Sequence, residues 1–168
     1  MKSIAVVGNG PADSFSAHAA ERIDACDLVF RFNNYALDGH QRLVGTKTTH
    51  WGTSFLRDIQ DRPPGSVWVT LPLLDERWYR RHARHYGYVE HMPQLERLAR
   101  WLVDEARDVR IIPWRIYERA GRISAGLLLL YWLYVERGWS LDGVVVEGFG
   151  FFAPDRPHHY FENRPSDG

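Results

Sequence analysis

Short apolar runs of strand-like composition alternate along the chain with longer segments of helical composition, and this alternation limits the available folds more than any other feature. The strand-like runs are Ser3–Gly8, Asp27–Phe32, Ser66–Leu71, Val109–Ile112 and Val144–Glu147. Between them, Pro11–Arg22 has helix-compatible composition with Asp13 or Ser14 as N-cap, and Glu76–Tyr86 and Gln94–Arg107 carry amphipathic spacing. Ser124–Arg137 reads as a strongly apolar helix. Strands that are nearly continuous in apolar residues need cover on both faces, which points to a parallel sheet between layers of helices. The expected fold class is therefore α/β, a Rossmann-like, mostly parallel sheet. Leu127, Leu128, Leu130, Tyr131, Trp132 and Leu133 surround the last helix on every side, so it is expected to be largely buried. A ligand in such a fold binds at the carboxyl ends of the strands, near a switch in strand order. Three loops are thereby selected: Gly8–Asp13, Arg31–Tyr35 and Gly148–Pro154.

Composition narrows the function classes. The 168 residues suit one domain, 1–168, and the only linker-like stretch, Asp61–Gly65, fits a turn better than a boundary. Lys plus Arg number 21 and so do Asp plus Glu, a balance that argues against a nucleic-acid partner. A single cysteine, Cys26, excludes an internal disulfide and a multi-cysteine zinc site. The opening apolar run, Ile4–Val7, is too short for a signal peptide. Ala125–Val135, 11 residues, falls short of the roughly 20 that span a bilayer. The expectation is a soluble cytoplasmic protein without a transmembrane segment, its alternative location the inner membrane face. Seven Trp and eight Tyr are unusual, and such rings serve as core, interface or sugar platform.

The first loop, Val6-Val7-Gly8-Asn9-Gly10-Pro11, lets the backbone turn tightly and approach a ligand. A dinucleotide fingerprint would place a third glycine where Asp13 stands and an acidic residue where the chain has Arg31-Phe32-Asn33. A plain tight turn and an oxidoreductase site both remain open on this loop alone. Farther on, Ile23-Asp24-Ala25-Cys26-Asp27-Leu28-Val29-Phe30-Arg31-Phe32-Asn33 leads to Val44-Gly45-Thr46-Lys47-Thr48-Thr49. Read with the first loop, these runs resemble the long sialyl motif of the family 29 sialyltransferases. Ile123-Ser124-Ala125-Gly126-Leu127-Leu128 with Val144-Val145-Val146-Glu147-Gly148-Phe149-Gly150 resembles the family's short motif. His158-His159-Tyr160-Phe161-Glu162-Asn163 resembles its third. Family 42 sialyltransferases share a loop like Gly8-Asn9-Gly10-Pro11, but Val44–Thr49 and His158–Asn163 favour family 29.

The resemblance implies a GT-A-like sialyltransferase variant of the Rossmann fold, a compact bacterial-type member, and inverting transfer from a CMP-sialic acid donor to a glycan acceptor. It implies no cofactor and no metal. A donor carrying a phosphodiester and a carboxylate needs anion binders. Ser124, Ala125 and Gly126, at a helix start, offer a hydroxyl, backbone N–H groups and the positive end of the helix dipole. Asn9 and Asn33 supply neutral amides at strand ends, and Gly8, Gly10, Gly148, Phe149 and Gly150 line the nucleotide side. Tyr160 joins this donor set by resemblance. His159, with His158 beside it, is the implied group that hydrogen-bonds the leaving phosphate. No Asp-x-Asp is present to hold a divalent ion.

Three departures from the family are visible. The fourth motif, a His with a Glu a few residues on that usually supplies the base, does not follow Asn163. The expectations this raises are a chain truncated before its base, a substituted base, or a non-catalytic CMP-sugar-binding module. Transfer of a related CMP-activated keto sugar is a further alternative. Animal members join the two sialyl motifs with a disulfide, and Ile4 stands where the first cysteine would fall. They also carry a membrane anchor and stem, and the expectation here is a chain without either. Arg77–Tyr86 is basic and aromatic, with His82 and His85 three apart. A solvated helix face or part of the acceptor side is preferred there over a nucleic-acid helix or a metal pair. Trp114 and Tyr117 are also candidates for stacking on acceptor sugars.

Overall fold

The computed structural model describes residues 2–54, 65–72, 108–120, 123–138 and 140–150, together with positions 75, 77, 96 and 100. Among the described residues, six strands form one sheet: β1 (Ile4–Val7), β2 (Leu28–Phe32), β3 (His50–Thr53), β4 (Ser66–Val69), β5 (Asp108–Ile111) and β6 (Val144–Glu147). Their order is β5-β4-β3-β2-β1-β6, and every neighbouring pair is parallel. The chain thus steps outward from β1 to β5 and then returns to lay β6 against the free side of β1. That return makes β1 the point where strand order reverses.

Alternation along the strands builds two cores. In β1, Ile4 and Val6 face a layer containing α3 (Trp114–Ala120) and α4 (Ala125–Glu136), where Phe30, Phe32, Trp68, Leu129 and Trp132 are also buried. Ala5 and Val7 face the other layer, packing with Val29 against Ala19 and Ile23 of α1 (Ala19–Asp24) and Val44 of α2 (Gln41–Val44). Helices therefore cover both faces, as the apolar strands require. In α4, Gly126, Leu128, Leu129, Trp132 and Leu133 are buried, while Leu127, Leu130, Tyr131 and Val135 are only half-buried.

Three sequence expectations change. His50–Thr53 is a central strand with no apolar run to announce it. Its place beside β2 is secured by Thr49, whose hydroxyl accepts the Val29 N–H at 2.7 Å, and by the Trp51 indole, which donates to the Asn33 carbonyl at 2.9 Å. Pro11–Arg22 is not one helix. A 3₁₀ turn over Ala12–Ser14 is separated from α1 by His18 in the left-handed region at φ +60°. The Ser16 N–H is taken by the Glu147 carboxylate and the Ser14 carbonyl accepts the Gly148 N–H, so backbone groups a continuous helix would use are committed elsewhere. Trp114 and Tyr117 lie in α3 and are buried, 6% and 8% exposed, so they are core and not an acceptor platform. Arg77, Glu96 and Arg100 are helical, and the remainder of Glu76–Tyr86 and Gln94–Arg107 lies outside the described residues.

Candidate functional site

Parallel strands end together, so the reversal at β1 brings the loop after β1 against the loop after β6. The Gly8 N–H donates to the Glu147 carbonyl at 2.8 Å and the Gly10 N–H to the Gly148 carbonyl at 2.7 Å. Gly148 has φ +73°, where a side chain is strained. A Cβ there would stand 2.5 Å from the Gly8 carbonyl oxygen, and one on Gly10 would stand 2.6 Å from the Gly148 oxygen. On Gly150 it would meet Pro11 Cδ at 2.5 Å. The sequence assigns these glycines to close approach of a nucleotide. In the fold, the space left by each missing Cβ is filled by the opposite loop.

The two asparagines join this floor to its neighbours. Asn9 Nδ2 donates to the Phe32 carbonyl at 2.9 Å, carrying the β1 loop across to the end of β2. Asn33 follows β2 in the left-handed region at φ +44°, its N–H bonded to the Gly52 carbonyl at 2.9 Å and its Oδ1 accepting the Ser54 N–H at 3.3 Å. Gly8–Pro11, Asn33 and Gly148–Gly150 therefore form one connected group. Ser124 caps α4 with extended backbone, its hydroxyl accepting the Leu127 N–H at 3.4 Å, and Ala125 opens the helix. Gly126 belongs to the same group because the Phe149 ring packs where its Cβ would be.

Two polar clusters escaped the sequence reading. Glu147, 5% exposed, accepts the Ser16 N–H at 2.9 Å and hydroxyl at 2.7 Å and pairs with Arg22, tying the end of β6 to α1. A charged residue closing a triple-valine strand was the available signal. Arg31, 1% exposed, donates to the Val44 and Lys47 carbonyls at 2.6 and 3.1 Å and to the Thr48 hydroxyl at 3.0 Å. Asp24 closes the same loop by accepting the Thr46 and Lys47 N–H groups and the Thr46 hydroxyl. Burial pushes the Asp24 carboxyl up, but these hydrogen bonds and the Arg31 charge together hold it below the ordinary carboxylate range. The long motif's Asp24, Arg31 and Thr46–Thr49 thus fasten the β2–β3 connection.

His50 opens β3, three residues and roughly 10 Å from that strand's carboxyl end. Its ring lies 4.3 Å from that of Phe30, so it stands away from the gathered loops. Burial holds its imidazole below the ordinary histidine range. His158, His159 and Tyr160, like His82 and His85, lie outside the described residues.

The model of glycosyltransferase family 29 (sialyltransferase) matches residues 1–60. A CMP-N-acetylneuraminate-beta-galactosamide-alpha-2,3-sialyltransferase 1 from Pan troglodytes is 30% identical over 175 residues, covering 98% of this chain and 49% of the relative. Over its first 60 residues the chain resembles glycosyltransferase family 29. The Homo sapiens protein of the same name is also 30% identical with the same coverage, and the Sus scrofa protein is 28% identical. The chain spans about half the length of the curated relatives it matches. Its fold resembles a mammalian sialyltransferase crystallised with Gal-beta-1-3GalNAc-ortho-nitrophenol, at TM-score 0.58 and 19% identity over 95% of this chain and 60% of that one. A second mammalian sialyltransferase structure gives TM-score 0.57 at 18% identity, covering 97% and 60%. The parallel α/β fold of the chain is the Rossmann-like, GT-A-like fold of those neighbours.

Proposed function

We propose that the chain binds CMP-sialic acid at the β1–β6 switch point and takes part in metal-independent, inverting transfer of sialic acid to a glycan hydroxyl. The observation that supports this most is the gathering of the two glycine loops, Asn33 and the amino end of α4 at the reversal of strand order. The first-turn N–H groups and dipole of α4 suit the donor's phosphate, and Ser124 adds a hydroxyl. In the reaction the acceptor oxygen attacks the anomeric carbon from the face opposite CMP. The bond from that carbon to the phosphate oxygen breaks as the new C–O bond forms. CMP leaves with the electron pair, and the hydroxyl proton passes to a base. His159, beside His158 and Tyr160, donates a hydrogen bond to the phosphate as its charge grows. A β-galactosamide is the acceptor class to try first, because the relatives' names specify it. The nucleotide contacts do not read the sugar, so other CMP-activated keto sugars belong among the donors compared.

Calorimetric titration with CMP, UDP, GDP and NADH in EDTA tests the donor site. CMP is expected to bind tightest, and tighter binding of NADH overturns the reading. Ser124→Ala is expected to weaken CMP binding by about 1–2 kcal/mol, the worth of a hydrogen bond to a charged group plus a cap. Lower stability with unchanged affinity would leave Ser124 a cap alone. His159→Ala is expected to slow transfer about 10²–10⁴-fold with CMP affinity largely retained. CMP binding without any transfer, even with downstream sequence attached, would favour a binding module.

A further inference from the structure

Glycine is the poorest helix former after proline, so alanine at position 126 would favour an isolated α4. The reason for glycine there is visible in the packing. A Cβ on Gly126 would lie 2.7 Å from Cε1 and 3.0 Å from Cζ of Phe149. A Cβ on Gly8 would lie 3.2 Å from Cδ2 of the same ring. Phe149 also meets the Phe32 ring edge-on, centroids 6.4 Å apart and planes at 73°. Phe32 in turn occupies the space of a missing Cβ at Gly52, 2.5 Å from its Cε1. One half-buried ring therefore touches the loop after β1, the end of β2 and the first turn of α4.

We infer that Phe149 is a positioning residue that sets the spacing between the amino end of α4 and the glycine loops, and that Gly126 is glycine for this ring and not for the donor. The inference rests on the donor reading proposed above. A phenylalanine has two side-chain torsions and a rigid ring, so contacts on three sides fix the distance between the elements it separates. A donor with its phosphate at the α4 terminus and its nucleoside on the glycine loops reads that distance. The ring governs affinity without touching the ligand.

The experiment is a rescue. Wild type, Gly126→Ala, Phe149→Leu and the double variant are compared for CMP affinity by calorimetry and for melting temperature. Leucine ends at Cδ, so it removes the two ring atoms that a methyl at 126 would strike. Gly126→Ala is expected to weaken CMP binding about tenfold, as coupled neighbours in contact do, and Phe149→Leu to weaken it less. The double variant is expected to return to the level of Phe149→Leu alone. If its loss is instead the product of the two single losses, Gly126 faces the donor directly and the inference is overturned. Melting temperatures that shift and recover while CMP affinity never changes also overturn it. Should Gly126→Ala fail to fold, a folded double variant binding CMP as Phe149→Leu does supports the inference, and an unfolded one overturns it. A wild type that binds no CMP overturns the donor reading itself, and this inference with it.

Discussion

The floor of the switch point, where long-motif and short-motif loops meet, and the β2–β3 connection, within the long motif, are held together by opposite means. At the floor, backbone meets backbone because side chains are missing: Gly8, Gly10, Gly148 and Gly150 interlock through two hydrogen bonds and contacts too close for a Cβ. In the connection, side chains reach backbone: Arg31 and Asp24 hold the Val44–Thr48 loop through carbonyls, N–H groups and hydroxyls. Motif residues are therefore not all site residues. The floor shapes the place a donor would occupy, whereas the Asp24–Arg31 clasp supports the sheet beneath it.

The largest effect is expected at the floor. Gly148→Ala adds left-handed strain to a collision with Gly8 and Phe15, and is expected to cost about 2–5 kcal/mol by urea unfolding, with CMP binding lost. Retained stability would show that the loops separate freely. In the clasp, Arg31→Met leaves two loop carbonyls and a hydroxyl without their donor, an expected loss of about 2–4 kcal/mol. CMP affinity of the folded fraction is expected to stay unchanged, and a tenfold or greater fall would move the clasp into the site.

A smaller effect tests the carboxylate half of the clasp. Asp24→Asn keeps one acceptor oxygen and is expected to cost about 1–2 kcal/mol at neutral pH. The folded carboxyl titrates below its ordinary value of 3.8, so its contribution is present above that pH and is lost as pH falls through the folded value. Acid unfolding curves are expected to converge for wild type and variant at low pH, and parallel curves would contradict the clasp. The smallest effect belongs to His50, beside the connection, where its Nδ1 shares a 2.7 Å hydrogen bond with the Thr49 hydroxyl. Its folded pKa lies below 6.5, so the unfolded chain takes up the proton first and stability declines as pH falls from that value. His50→Gln is expected to flatten this slope between about pH 7.5 and about pH 5.5, leaving the pH dependence of CMP affinity as in wild type.

Five of the six strands were legible from their apolar runs, and Ser124 was correctly placed at the start of α4. β3 was not legible, because His-Trp-Gly-Thr has no period and becomes a strand only when β2 and β4 flank it. The break after Ser14 was hidden for a similar reason: Glu147, which takes the Ser16 N–H, is 131 positions away.

The α/β class, the family resemblance and the loops that carry the motif residues were readable along the chain, because strand composition, caps and short motifs are local properties. What those residues do to one another follows from the assembled sheet. Strand order set β6 against β1, and that contact turned four glycines into a mutual fit and set the Phe149 ring among a loop, a strand end and a helix turn. Trp114 and Tyr117, candidate sugar platforms by composition, became core for the same reason. Burial and close approach are relations between distant segments, and a linear pattern does not contain them until the sheet assembles.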